Sequence, residues 1–485
     1  MRRTEWKMTW NPKITRRDGL RLVAAGAAGL TIETLASRGR LISEEPSSSQ
    51  HDETIVAGLQ AAMDKSLNPA MRQRVYPGHF IEVGYGDENT WPGLDTWEMA
   101  GAYLLLGRHR EVLDTFDFIQ ASQRADGDIP IAIFPADHPP EGMDNSLRGL
   151  RYPEDVYIYK PMARAGQPTY SDMRPRKWIG LFTHWQVKVN PLSTLGPISF
   201  ILMAKEIFAV TKSRAWLGEH LPSMDAAGRY LLTRIAPNGL MSGAGFYTES
   251  PPRNQWDGVN QCYGIHGLRQ LASLNSESGK REAAAEWNRH ADTLQKRFLQ
   301  VFWQRDHFAE YLHPQYGLVD SHGLSDVNWA AIGLEIATEE QIKRLWPILI
   351  HEPMFWRGGM PTFSATKPFD YKQWEFSEPL PFPYEGYDTN THDVAAMGRV
   401  WYLEVLACQR LMAYERLRAS VVKVCRRGNQ EGGLWWERYR ASREKPDSVE
   451  GCGAFGYCEY PAILIRTVLQ NPGVFPEART LLSST

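Results

Sequence analysis

The sequence predicts an all-α fold, a toroid of helical hairpins with long loops gathered at one end. Three observations lead there. Helical periodicity recurs along nearly the whole chain after residue 50, and the segments it marks follow one another in pairs. Between them lie Gly-, Pro- and Trp-rich loops at 138–172, 238–258 and 354–392, and loops this long in a compact domain are usually functional. Strand-like runs are few, which argues against a parallel sheet.

At the N-terminus, Thr15-Arg16-Arg17-Asp18-Gly19-Leu20-Arg21 precedes a short apolar run from Leu22 to Leu30. This resembles a twin-arginine export signal; the other reading is a basic amphipathic helix. The run falls far short of the roughly 20 apolar residues that span a bilayer, so it reads as an address and not as a stable membrane anchor. It implies a periplasmic or secreted protein that engages the twin-arginine export machinery. The best cleavage position lies near Leu35-Ala36-Ser37, and residues 1–50 are expected to be signal and disordered lead-in.

The expected helices are 96–106, 111–124, 197–210, 224–235, 260–275, 282–303, 328–337, 340–349, 394–416 and 460–469, each with apolar residues three and four apart. Thr338 stands where an N-cap belongs, ahead of Glu339-Glu340-Gln341. A short β-hairpin is expected within 308–318. An inner ring of helices inside an outer ring, with the loops at one mouth, makes residues 51–485 a single (α/α)6 barrel.

Composition narrows the function. The 485 residues carry a formal net charge of -2, which recommends neither nucleic acid nor an anionic membrane as partner. Seventeen Trp, 20 Tyr and 18 Phe are enough for a core and for a cleft that stacks on the apolar faces of sugars; Trp filling space between helices is the plainer account. Five cysteines do not form a disulfide framework, and no CxxC or HExxH run calls for a metal. No cofactor is expected. No Gly-x-Ser-x-Gly run offers a nucleophile elbow.

Glycoside cleavage needs two carboxylic side chains, one to protonate the leaving oxygen and one to act on water or the anomeric carbon. Asp257 lies between Trp256 and Gly258, and an adjacent indole can desolvate a carboxyl and keep it protonated. The alternative is that Asp257 caps the helix that follows. Glu437 sits among Trp435, Trp436 and Tyr439; its alternative is a surface ion pair with Arg438 or Arg440. His392-Asp393 and His184 invite a general-base role, although Asp393 equally suits a helix cap.

Several segments together resemble the mannosylglycerate-hydrolase-like glycosidases, relatives of the family-63 glucosidases and trehalases. The family's Glu-Ser-Gly-Trp-Asp run, which holds its general acid, is matched in two pieces, Glu249-Ser250 and Trp256-Asp257, with five residues between. Its Trp-Arg-Gly-x-x-Trp run is matched by Trp356-Arg357-Gly358, with Pro361 in place of the second Trp. Glu437-Arg438-Tyr439 matches the Glu-x-Tyr that holds the base, and Leu94-Asp95-Thr96-Trp97 resembles an early Trp-Asp-Thr/Ser run. The segments keep their order from about residue 91 to 469.

This resemblance implies an inverting glycoside hydrolase that acts on an α-glucosidic or α-mannosidic bond of a small glycoside or oligosaccharide, with carboxyls roughly 6.5–9.5 Å apart. Asp257 would be the acid, with Glu249 as its rival, and Glu437 the base. Asp95 would bind sugar hydroxyls or cap a helix. Trp97, Trp185, Gln186, Trp256, Trp356, Arg357 and Tyr439 would contact substrate, Arg357 having structural pairing as its alternative, and Trp91, Trp401 and Trp435 are weaker candidates. Two other classes compete: a lyase or cyclase on the same toroid, and a carbohydrate-binding protein without catalysis.

Overall fold

The computed structural model describes residues 48–72, 96–135, 156–159, 178–182, 194–243, 248, 253, 255–375, 394–442, 444–445 and 447–482. The export signal, its cleavage position, Trp91, Asp95, His184, Trp185, Gln186, Glu249, His392 and Asp393 lie outside the described residues. From Ser48 onward the chain forms one compact unit. No helix among the described residues is long and apolar enough to cross a membrane.

The described chain is mostly helical. In order come α1 (Ser48–Ala61), α2 (Trp97–Leu105), α3 (His109–Gln120), α4 (Leu195–Thr211), α5 (Arg214–Thr233), α6 (Gly258–Glu277), α7 (Arg281–Phe302), α8 (Asp326–Gly333), α9 (Glu339–His351), α10 (Gly398–Arg410), α11 (Tyr414–Gln430), α12 (Glu459–Gln470) and the short α13 (Ala478–Leu482). A π-turn, Ala62–Leu67, prolongs α1.

Sequence sorts these helices into two kinds. The even-numbered ones are buried nearly all round, and α2 and α4 are apolar as well: in α4 the run from Leu195 to Ala204 is buried without interruption, as is Trp97–Leu104 in α2. A helix that is apolar on every side must be enclosed. The odd-numbered ones bury a single stripe, such as Ala284, Trp287, Ala291, Leu294, Phe298 and Phe302 of α7. Accordingly, α2 packs on α4, α4 on α6, α6 on α8, α8 on α10 and α10 on α12, and α12 packs back on α2. Each odd helix from α3 to α11 packs on the even helix before it. Helix α12 has its outer neighbour in α1, which also packs on α11. One hydrophobic cluster runs through all of them.

Helix starts follow their caps. Thr338 accepts from the Gln341 N–H at 3.3 Å while Gln341 Oε1 accepts from the Thr338 N–H at 2.9 Å, closing a capping box on α9. Ser213 caps α5 by accepting from the Trp216 N–H at 3.2 Å, and the helix runs on through Pro222, ten residues ahead of the expected start. The expected helix 394–416 is two helices. The break falls at Leu411–Ala413, where Met412 takes a φ of 53°. A left-handed residue ends a helix, and with Met in that role no glycine signals the turn. Helix α1 begins at Ser48, inside the segment expected to be lead-in.

Short antiparallel ribbons cap the ends. β1 (Ala132–Pro135) and β2 (Val156–Tyr159) flank β3 (Trp178–Leu181). β4 (Trp256–Asp257) pairs with β5 (Tyr311–His313), which pairs with β6 (Gly317–Val319) as the expected hairpin. β7 (Ala395–Met397), β8 (Trp436–Ala441) and β9 (Val449–Phe455) form the third sheet.

Helix α1 meets α11 closely: a Cβ built on Gly58 would stand 2.5 Å from Cys425 Sγ. We therefore expect Gly58→Val to cost about 1–3 kcal/mol by overpacking. A lowered melting temperature in thermal denaturation checks this, and an unchanged one would mean that the two helices do not touch there.

Candidate active site

The N-termini of the even helices gather at one end. Asp257 ends β4 and caps α6, its Oδ2 accepting from the Asn260 N–H at 2.8 Å. Thr194, at the start of α4, donates to Asn260 Oδ1 at 2.6 Å. Arg253 Nη1 lies 3.3 Å from Asp257 Oδ1 and 2.8 Å from Asp326 Oδ1, the first residue of α8. Its Nε lies 2.8 Å from Glu310 Oε1. Arg253 and all three acids are buried.

Glu310 continues the network inward. Its Oε2 lies 2.6 Å from His322 Nδ1, and Tyr371 donates to its Oε1. His322 Nε2 lies 3.1 Å from Glu375 Oε2, and Tyr311 donates to Glu375 Oε1 at 2.5 Å. The Tyr371 ring stacks on the imidazole with centroids 3.5 Å apart. Burial pulls the His322 pKa down, but Glu310 and Glu375 outweigh it and raise it to about 9. Burial pushes the Glu310 carboxyl up, but Arg253, His322 and Tyr371 bring it down to about 2.

The second candidate carboxylate stands on β8. Glu437 is buried. Its Oε2 accepts from Arg438 Nη2 at 3.2 Å and from the Ala454 N–H at 3.3 Å, and its Oε1 lies 3.8 Å from Arg399 Nη2. Arg399, in the first turn of α10, also pairs with Glu459, the first residue of α12, at 3.6 Å. Gly453 leaves the space: a Cβ there would stand 2.1 Å from Glu437 Oε2. The ion pair with Arg438 exists, but it is buried and not on the surface, while Arg440 turns to Glu450 at 3.3 Å.

One strip of backbone joins the two carboxylates. Ser364 O accepts from Arg253 Nη2 at 3.4 Å and from the Asp326 N–H at 2.9 Å, and Ser364 N donates to Ala395 O of β7 at 3.1 Å. Strand β7 then pairs with β8, which carries Glu437. Asp257 and Glu437, 180 positions apart in sequence, thus belong to one hydrogen-bonded layer over the helix N-termini.

The remaining expected contacts divide. Trp97 opens α2 and meets Tyr263 of α6 and Tyr402 of α10 edge-on, at 6.1 and 5.7 Å, with the Arg466 guanidinium of α12 5.6 Å from its ring. Four even helices meet at this indole, beneath the layer. Trp256 is half-buried beside Asp257. Trp356 is held in the wall, its Nε1 donating to both oxygens of Glu404 at 3.0 Å under the Arg416 guanidinium. Arg357 lies half-buried over Phe369, 5.8 Å from its ring centre. Tyr439 is fully buried, its hydroxyl donating to Glu431 at 2.7 Å and accepting from the Trp436 N–H at 3.1 Å, so its polar end is used within the protein. Trp401 and Trp435 are core, donating to Ser420 Oγ and Val424 O.

Sequence reasoning missed Arg253, Glu310, His322, Glu375, Arg399 and Glu459. Arg253 lies four residues before Asp257, within the run already singled out. The others meet across separations of up to 60 residues, and no local spacing reveals them. Among the described residues no group of His, Cys, Asp and Glu has the form of a metal site.

No family model and no curated protein sequence matches the chain. Solved structures do. A rhamnosidase from Klebsiella oxytoca with rhamnose bound is similar at a TM-score of 0.53 and 11% identity, over 88% of this chain and 65% of that one. A GH63 mannosylglycerate hydrolase from Thermus thermophilus, in complex with glucose, is similar at 0.51 and 13%, over 83% and 99%. An uncharacterized conserved protein from the same organism is similar at 0.53 and 10%, over 86% and 99%. The chain shares the fold of these proteins. It spans less than two thirds of the rhamnosidase's length.

Arg253→Met would strand buried carboxylates, and we expect it to cost about 3–5 kcal/mol in a denaturant titration; a loss within error of zero would show that the cluster does not depend on this guanidinium. A second expectation concerns pH. The His322 pKa is raised in the folded state, so its contribution is complete below about 6.5 and lost as pH rises through about 9. For Glu310, depressed to about 2, the contribution is complete above about 4.5 and lost towards 2. Hence the stability gap between wild type and His322→Gln should be widest near pH 6 and shrink above pH 9. Urea midpoints across that range decide it, and a constant gap would contradict the charged imidazole.

Proposed function

We propose that this protein is an exported glycoside hydrolase, an (α/α)6 toroid that cleaves an α-glucosidic or α-mannosidic bond of a small glycoside or oligosaccharide with inversion. The observation that carries the reading is the shared layer: two carboxylates from distant parts of the chain, each anchored by a buried arginine, over the N-termini of the enclosed helices. The likeness in fold to a mannosylglycerate hydrolase and a rhamnosidase supports it. The split acid motif and the Glu-x-Tyr run add the same pairing from sequence.

In this mechanism Asp257 gives a proton to the leaving oxygen as the glycosidic bond breaks, and Glu437 takes a proton from the water that attacks the opposite face. Both groups then return to their starting states by exchange with solvent. The acid must enter the cycle protonated. Around Arg253 and His322 stand four carboxyls, Asp257, Asp326, Glu310 and Glu375. Neighbouring carboxylates disfavour one another's ionisation, which favours one of them keeping a proton. Arg253 stands farther from Asp257 (3.3 Å) than from Asp326 or Glu310 (2.8 Å each), which favours Asp257 as the group that keeps it. On the base side, Arg399, Arg438 and the Ala454 N–H compensate the charge of Glu437. Trp97 would form the floor under the sugar, and Asp95 would bind its hydroxyls. Export through the twin-arginine machinery delivers a folded protein, which suits a chain whose five cysteines are all buried.

A second reading has its own observation. Asp257 is 0% exposed and uses Oδ2 as a helix cap, a role that a carbohydrate-binding protein without catalysis would also require.

A panel of α-glucosides and α-mannosides, natural and aryl, separates the two. The hydrolase reading expects Asp257→Asn and Glu437→Gln each to lower kcat by roughly 10²–10⁴-fold, with the opposite anomer released in NMR spectra of the wild-type reaction. Sugar binding with no turnover by wild type would leave the second reading standing alone.

A further inference from the structure

The β5–β6 hairpin that carries Tyr311 into the buried network carries a different group at its tip. Tyr316 is 55% exposed, while the other aromatic rings among the described residues are mostly enclosed. Its ring leans on the indole of Trp374, with centroids 4.0 Å apart and planes 30° apart. His313 stands beneath both, 4.9 Å from Tyr316 and 5.1 Å edge-on to Trp374.

This trio is built rigidly. His313 Nδ1 accepts the backbone N–H groups of Gln315 and Tyr316 at 3.1 and 3.2 Å. Two donors aimed at one nitrogen fix the neutral tautomer with its proton on Nε2. Burial lowers the pKa of the ring in agreement, partly countered by Glu375. Trp374 is held from the other side, because the next residue, Glu375, is locked by Tyr311 and His322. The platform is therefore tied through single residues to the layer that holds Asp257.

We propose that Tyr316 and Trp374 form an outer sugar subsite, which takes the apolar face of a pyranose ring beyond the bond that is cleaved. An exposed aromatic ring pre-set by its neighbours offers a large stacking area at little entropic cost. The His313 Nε2–H supplies a hydrogen-bond donor for a ring hydroxyl. The occupant is a neutral hexose unit, since the ring faces are aromatic and the imidazole is uncharged. The substrate is then an oligosaccharide with at least one sugar beyond the scissile bond, not a simple monosaccharide derivative. This inference rests on the glycosidase reading above and specifies its substrate class.

Two kinds of probe test it: maltotriose and α-mannotriose, which reach an outer subsite, and α-glucosyl and α-mannosyl fluoride, which have no sugar beyond the bond. For Tyr316→Ala, a surface change at a hairpin tip, we expect KM for the turned-over trisaccharide to rise roughly tenfold, with the fluoride reaction unchanged. Trp374→Ala should act in the same direction. Calorimetric binding of the trisaccharides to the Asp257→Asn protein, with and without Tyr316→Ala, gives a readout that does not need turnover. Equal trisaccharide KM and affinity with and without the tyrosine would overturn the subsite while the hydrolase reading stood. Tyrosine-dependent binding with no turnover by wild type would uphold the subsite and overturn the hydrolase reading. Failure of wild type to bind either trisaccharide would overturn the subsite, and the fluoride reaction would then decide the hydrolase reading by itself.

Discussion

A single buried guanidinium sets the terms for much of this structure. Arg253 is enclosed, and it touches the N-cap of α6, the first residue of α8, the strand that leads into the β5–β6 hairpin and the backbone strip that reaches β7. A charge in that position is tolerable only with partners on every side. Each partner in turn sits at the start of a helix or a strand, where backbone donors are already free. The same ion therefore links the starts of α6 and α8 and holds the acid candidate. Perturbed groups often gather at functional sites, and Glu310 and His322 stand in the same cluster as the acid candidate.

Arg399 repeats the arrangement on the far side, between α10, α12 and β8. In both places a helix N-terminus, an arginine and two or more carboxylates share a dry space. The β-ribbons then act as arms: β4 delivers Asp257 and β8 delivers Glu437. Below them the indole of Trp97, edge-on to two tyrosines, closes the space between the even helices.

Much of the fold was legible because burial pattern is a local signal. Helices that are apolar on all sides and helices with one stripe announce their layer residue by residue, as α4 and α7 do. The Thr338 capping box and the hairpin near Tyr311 were equally local. Two things were not. The break at Met412 uses a residue whose type gives no warning of a positive φ. Helix α1 was hidden because its low-amplitude apolar pattern follows a Ser-rich stretch and finds its partners hundreds of residues away. At the candidate site, Asp257 and Glu437 were singled out through motif order. The arginines and His322 that surround them escaped notice, since their meaning lies in contacts between separate loops. Tyr439, matched by the motif, proved to direct its hydroxyl to Glu431.

Helix α1 also shapes how the molecule comes into being. Its closing contacts join Asp52 to Arg418 and Lys65 to Gly432, separations of more than 360 residues. Contacts of such high order form late and slowly. While the chain is being synthesised, the apolar side of α1 must wait for α11 to emerge, an interval in which exposed surface invites misassociation. A nascent chain of this design is vulnerable until its last hairpins exist, and a chaperone that holds its first segment would relieve that exposure.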